Sequence, residues 1–275
     1  MLAAAVIVFR ESLEAALVIG IVAAATRPIS GRGWWIALGA LAGVVGSVGV
    51  AEVARSIAQL AGGSGQELFS AAVLALAVAM LAWHNIWMAS HGRQMAAQAH
   101  ALGSSVVRGE AALTAIATAV ALTVLREGSE TVLFLGGIAS SAGSTRFTLA
   151  AGGALGLVAG AAAGVLIYAG LLRVPVRRLF VVTGWLILLL AAGMAGQCAR
   201  VLIQADLLPA LASPLWDTSK WMPDNSVLGT LLRALMGYQA QPSGTQVLFY
   251  LAALVLIFLA MRRAQSRSAH SRSAA

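Results

Sequence analysis

Two short stretches concentrate the residues able to do chemistry: "FRESLEAALV" at 9–18 and "LREGSETVLF" at 125–134. Each sets one arginine and two glutamates, R-E-x-x-E, inside an otherwise apolar run. On a helix advancing about 100° per residue, Arg10, Glu14 and Glu11 fall at about 0°, 40° and 100° and share one face. Arg126, Glu130 and Glu127 repeat that arrangement. An arginine four residues before a glutamate can form an ion pair within its helix, which leaves one surplus carboxylate per motif. Two self-neutralised pairs fastening helices together would explain one glutamate in each motif, but not the second. Surplus carboxylates that converge repel one another unless a multivalent cation or a proton lies between them. Glu11, Glu14, Glu127 and Glu130 are therefore the candidate metal ligands, with Arg10 and Arg126 as their charge-compensating partners and no catalytic group assigned.

Carboxylate oxygens are hard donors, suited to Mg²⁺, Ca²⁺, Mn²⁺ or Fe³⁺ rather than Cu⁺. The single cysteine, Cys198, forms no intrachain disulfide, and no cysteine–histidine cluster points to zinc or copper. His84, His91 and His100 flank the third apolar span and its loop without pairing at ligand spacing, and they read as interfacial. His270 reads as tail composition. From the residues alone, the conclusion is a pathway for a hard cation or a proton.

The elements that carry these motifs are membrane helices. The 275-residue chain is 60% hydrophobic, with 10% charged residues and a mean hydropathy of +0.87, whereas a soluble domain has about 25% charged residues. The net charge of +8 does not indicate nucleic acid, because the basic residues lie in short loops and at the C-terminus. The first run is expected to be a retained span rather than a cleaved signal sequence, since it lacks a basic leader and its apolar core is broken by charge. Seven spans are expected, at about 2–25, 34–53, 68–90, 111–139, 147–172, 179–199 and 246–261, most reaching the ~20 residues needed to cross the hydrocarbon, the last being short. Connections on one side, with the C-terminal stretch, hold eleven basic residues, against four (Arg55, Arg146, Lys220 and Arg233) on the other. The positive-inside rule then places the N-terminus outside and the C-terminus in the cytoplasm. The long connection at about 204–245 falls outside and is read first as an interfacial cap with tryptophan anchors and a short amphipathic helix. Its Asp217 and Asp224 are possible accessory ligands. Residues 264–275, polar and low in complexity, are expected to form a disordered cytoplasmic tail.

The motifs also mark an internal repeat, with Arg10 matching Arg126. The second span carries Gly39, Gly43 and Ser47 at four-residue spacing, and the fifth carries Gly152, Gly156, Gly160 and Gly164. Such rows let membrane helices approach closely. A three-helix unit repeated once enters the membrane from opposite sides, giving a 3+3 inverted repeat with its site near the midplane. The expected organisation is one all-α, polytopic permease domain over 1–263: repeat one at about 1–108, repeat two at about 109–203, the outer loop, and a last helix at about 246–263.

At these residues the chain resembles the high-affinity iron permease family, whose signature is Arg-Glu-Gly-Leu-Glu in the first and fourth spans. It stands here as "RESLE" and "REGSE", with Ser12 for the glycine and Ser129 for the leucine, so every charged position matches. "GQELF" at 65–69 and the stretch from "WDTSKWMPDNSVLG" onward resemble bacterial members. The resemblance implies iron import across the cytoplasmic membrane, with Fe²⁺ oxidised outside by an iron-oxidising or iron-delivering partner and Fe³⁺ passed to the permease. It implies the four motif glutamates as iron ligands, iron as transported substrate and no organic cofactor. Glu67 is then a plausible accessory site, although a carboxylate also suits a helix N-terminus. Glu52 reads as a solvated span end. A proton-coupled carrier of another hard divalent cation is the alternative. An intramembrane di-iron oxidase is disfavoured, because such enzymes supply Glu-x-x-His pairs and none occurs here.

Overall fold

The computed structural model describes residues 1–60, 66–139, 145–170, 176–224 and 226–273; the side chains of His91 and His270 and the loop holding Arg173 lie outside the described residues. Among the described residues eight helices and no strand form, in chain order α1 (Leu2–Ala25), α2 (Arg32–Leu60), α3 (Gln66–Val107), α4 (Thr114–Ala139), α5 (Arg146–Tyr168), α6 (Val176–Gln204), α7 (Val227–Met236) and α8 (Gly244–Ser273). Five of them (α2, α3, α5, α6 and α8) contain stretches long and apolar enough to cross a membrane. Helices α1 and α4 are 24 and 26 residues long and carry the three charges of each motif. The chain is thus an all-helical, multi-pass membrane protein.

Helix ends follow local chemistry. Thr145 caps α5 in a reciprocal box with Thr148, and the Ser226 side chain accepts the Gly229 N–H at the start of α7. Gly237 ends α7 in the left-handed region, at φ 70°, where glycine has no Cβ to clash. Several helices run further than expected, α3 and α8 the most. α3 continues to Val107 rather than ending near residue 90, because "SHGRQMAAQAHAL" holds no proline and a single glycine. α8 continues to Ser273 through the stretch expected to be a disordered tail. An established helix needs no new nucleus to extend through alanine, glutamine and arginine.

Packing crosses the sequence order. α5 lies along α1 and α2 lies along α4, while α1, α3, α4 and α6 form the interior and α8 backs α6 and α3. Of the five apolar spans, α6 is the most enclosed, with 61% of its stretch buried. The glycine rows make the close crossings. A methyl group at Gly43 would stand 2.6 Å from Val124 Cβ and 2.7 Å from the Ala121 carbonyl. At Gly156 it would stand 2.8 Å from the Phe9 nitrogen. The outer faces of α2 and α5 expose Leu41, Val45, Val48, Leu155, Val158 and Val165, as expected of surfaces that meet lipid.

Two apolar clusters fill the interior. One joins Ile7 of α1, Leu74 and Leu81 of α3, Phe134 and Ile138 of α4, Ile187 and Leu188 of α6, and Ile257 of α8. The other joins Val22 of α1, Ala99 and Val106 of α3, and Ile116 and Val120 of α4.

Candidate functional site

Along α1, α3 and α4 the polar residues occupy the interval between these clusters. Arg10, Glu11 and Glu14 lie between Ile7 and Val22, His84 between Leu81 and Ala99, and Glu127 and Glu130 between Val120 and Phe134. The charged layer therefore has apolar packing on both sides along the helix axes. Arg10, Glu11, Glu14, His84 and Glu127 are all buried, at 5% exposure or less.

The two motifs meet. In each, the arginine pairs with the glutamate four residues on: Arg10 Nε lies 2.9 Å from Glu14 Oε1, and Arg126 Nε donates to Glu130 Oε1 at 3.0 Å. Arg126 Nε also lies 3.9 Å from Glu127 Oε1. Donor atoms of Glu11, Glu127, Glu130 and His84 all fall within 4.8 Å of one another. Glu14, turned toward Arg10, reaches the same imidazole, with Oε1 3.6 Å from His84 Nε2. Glu11 Oε2 is 3.7 Å from that nitrogen, and His84 Nδ1 contacts Glu130 Oε2.

Many of these atoms make no hydrogen bond. Both oxygens of Glu11 and of Glu14, Oε2 of Glu127 and of Glu130, and both His84 nitrogens are buried with no partner in hydrogen-bond geometry. Arg10 Nε and Nη1 lack a hydrogen-bond partner there too, and leaving a buried polar group unsatisfied costs about 1–3 kcal/mol, more when charged. Four carboxylates face two guanidinium groups here, and oxygen donors in surplus over fixed cations fit a metal ion.

The surroundings differ between the copies. Arg10 is 3% exposed, whereas Arg126 is 35% exposed and rests over the Trp87 ring at 4.2 Å. The two serines that depart from the family signature are accommodated by packing. The Ser12 hydroxyl donates to the Phe9 carbonyl and reaches Gly156 of α5, and Ser129 donates to the Leu125 carbonyl.

His84 corrects the expectation of an interfacial residue. It sits well inside α3, which runs on past residue 90, and it lies at the meeting point of the motifs. The signal was the polar pair His84–Asn85 within an apolar span, since intramembrane ionisable groups default to function. His100 is exposed, as expected for an interfacial residue. Glu67 is exposed in the first turn of α3 and does not belong to the buried group. Asp217 and Asp224 serve the outer connection. Asp217 accepts from the Ser219 N–H and from Gln241 Nε2, both at 2.9 Å. Asp224 accepts from the Ala240 N–H at 3.1 Å and pairs with Arg233 at 3.0 Å. That connection also exposes Leu211, Trp216 and Trp221, in keeping with an interfacial cap.

Comparison with known proteins supports the same family. The sequence model of the Iron permease FTR1 family matches residues 1–266. The chain is 31% identical over 273 residues to "Ferrous iron permease EfeU" of Escherichia coli O6:H1, covering 96% of this chain and 98% of the relative. It is 30% identical over 264 residues to the Yersinia pestis protein of that name, covering 93% of each. No solved structure gives a significant match. By a match over nearly its whole length, this chain belongs to the Iron permease FTR1 family and is a transporter rather than an enzyme.

Proposed function

We propose that the protein imports iron across the cytoplasmic membrane through the buried site where its two R-E-x-x-E motifs meet. One observation carries this reading: carboxylates from both motifs, far apart in sequence, bring donor atoms within 4.8 Å of one another in an apolar interior. The family and the ferrous iron permeases it resembles supply the name of the ion. Glu11, Glu14, Glu127 and Glu130 offer the oxygen donors. Arg10 and Arg126 offset part of the carboxylate charge and so limit the site's net attraction, since an ion held too strongly cannot leave.

The seven long helices are then a 3+3 inverted repeat with α8 added, α7 being part of the outer cap. Support comes from the crosswise packing, in which α1 with α5 and α4 with α2 are equivalent pairs under exchange of the two copies. The site lies at their common centre, as in transporters that alternate access around a fixed midplane site. The apolar clusters on either side serve as the two barriers, opened in turn. The arginine asymmetry places the N-terminus outside and the C-terminus in the cytoplasm; a periplasmic reporter fused at Arg263 should be inactive. In this scheme an external partner oxidises Fe²⁺ or delivers the ion.

The test is uptake of radiolabelled iron by the full chain in liposomes, supplied as Fe²⁺ or as Fe³⁺. Glu14→Ala and Glu130→Ala are expected to abolish uptake while the protein still inserts. Uptake at the parental rate in either variant refutes the ligand assignment, and equal indifference of all four glutamates refutes the site.

A further inference from the structure

We propose that His84 is a nitrogen ligand of the transported ion and the residue that separates iron from the hard divalent cations. The inference rests on the reading of this site as the iron pathway. Carboxylates alone discriminate poorly, because an all-oxygen site suits Mg²⁺, Ca²⁺ and Mn²⁺. Imidazole suits iron and its later neighbours in the transition series, and Mg²⁺ and Ca²⁺ gain little from it. One imidazole among the glutamates changes which ion the site prefers.

The geometry distinguishes a ligand from a structural histidine. A buried histidine kept for packing satisfies both ring nitrogens, whereas Nε2 of His84 is buried with no hydrogen-bond partner. Nε2 faces Glu11 Oε2 at 3.7 Å and Glu14 Oε1 at 3.6 Å. These separations are too long for hydrogen bonds. They suit donors sharing one ion, since two ligands each about 2.1 Å from a metal stand about 3–4 Å apart. The other nitrogen, Nδ1, contacts Glu130 Oε2, a carboxylate whose second oxygen is held by Arg126.

Two further contacts hold the ring in place. The Phe134 ring meets it edge-on, with centroids 6.3 Å apart and planes at 84°. The adjacent Asn85 donates to the Gly184 carbonyl of α6 at 3.0 Å, which fixes the rotation of α3.

The experiment uses the purified full chain and His84→Gln, which keeps all four glutamates. Fe²⁺ is bound anaerobically, nitric oxide is added as a paramagnetic probe, and pulsed electron paramagnetic resonance reads nitrogen coupling from a coordinated imidazole. In parallel, liposomes are assayed for Fe²⁺ uptake against millimolar Mg²⁺ or Ca²⁺. The wild type should show the coupling and keep its uptake in the presence of the competitors. His84→Gln should lose the coupling, and its iron uptake under competition should fall by about tenfold or more.

A variant in which His91, His100 and His270 are all replaced by alanine keeps only His84 of the four histidines. It should retain the coupling, which decides the matter even where His84→Gln fails to insert. No coupling in the wild type, or undiminished discrimination in His84→Gln, overturns the proposal. Coupling without iron uptake by the wild type would instead overturn the import reading and leave His84 a ligand.

Discussion

Arg10 and Arg126 hold the same place in two copies of one five-residue pattern, and each pairs with the glutamate four residues on, at 2.9 and 3.0 Å. Their settings nevertheless diverge. Arg10 is enclosed where α3, α4, α5 and α6 surround α1, while Arg126 remains 35% exposed and leans on Trp87. The spacing dictates the ion pair, whereas the neighbouring helices dictate its dielectric. In this conformation the guanidinium of the second motif is the more exposed of the two.

The sharpest way to break that comparison is to remove each guanidinium. Arg10→Met leaves Glu14 buried and uncompensated, a loss of about 3–5 kcal/mol for a buried pair. Arg126→Met removes a partly solvated pair, worth about 0–1 kcal/mol, together with a cation–π contact of about 0.5–1 kcal/mol. Thermal unfolding in detergent should show a much larger fall in Tm for Arg10→Met. Equal falls would mean that the two motifs are energetically equivalent despite their surroundings.

A medium-sized effect tests how the two copies pack. Where α1 crosses α5, the serine is on the motif helix and the glycine opposite: a methyl group at Gly160 would collide with Ser12. Where α4 crosses α2 the roles reverse, and a methyl group at Gly128 would collide with Ser47. Each crossing thus holds one hydroxyl and one glycine. Gly128→Ser alone should overpack its crossing and destabilise by about 1–3 kcal/mol. Adding Ser47→Gly should restore most of that loss, since the pair is then exchanged rather than enlarged. Failure of the second change to rescue the first would show that α4 itself, and not the α2–α4 contact, requires glycine at 128.

Much of this arrangement was legible in the sequence because membrane helices reveal themselves through composition and charge. The first helix ends at Ala25 as expected, the glycine rows became close crossings, and the converging glutamates were flagged by their cost in lipid. The misjudged features depend on tertiary context. Span length ends the third helix at a loop near residue 90 and puts His84 close to an interface; no local breaker marks that point, and the helix continues to Val107. The divergence of Arg10 from Arg126 was invisible for a related reason. Burial is decided by helices distant in sequence, and the shared R-E-x-x-E pattern carries no record of them.

The smallest effect expected is at the far extreme of exposure from Arg10. The Ser219 hydroxyl and N–H, together with Gln241, hold the Asp217 carboxyl below the usual carboxylate range, without any desolvation of consequence. A carboxyl lowered in the folded state contributes stability above its ordinary pKa and loses it as pH falls through the folded value. Asp217→Ala should therefore lower Tm slightly at neutral pH, and the gap from the wild type should close as the pH drops below about 4, where an unfolded aspartate is protonated. Uptake should change little, because these contacts belong to the cap. A Tm gap that persisted unchanged to low pH would assign the loss to packing rather than charge. A collapse of uptake would return Asp217 to the ion pathway, and the contrast between buried motif and exposed cap would then need to be redrawn.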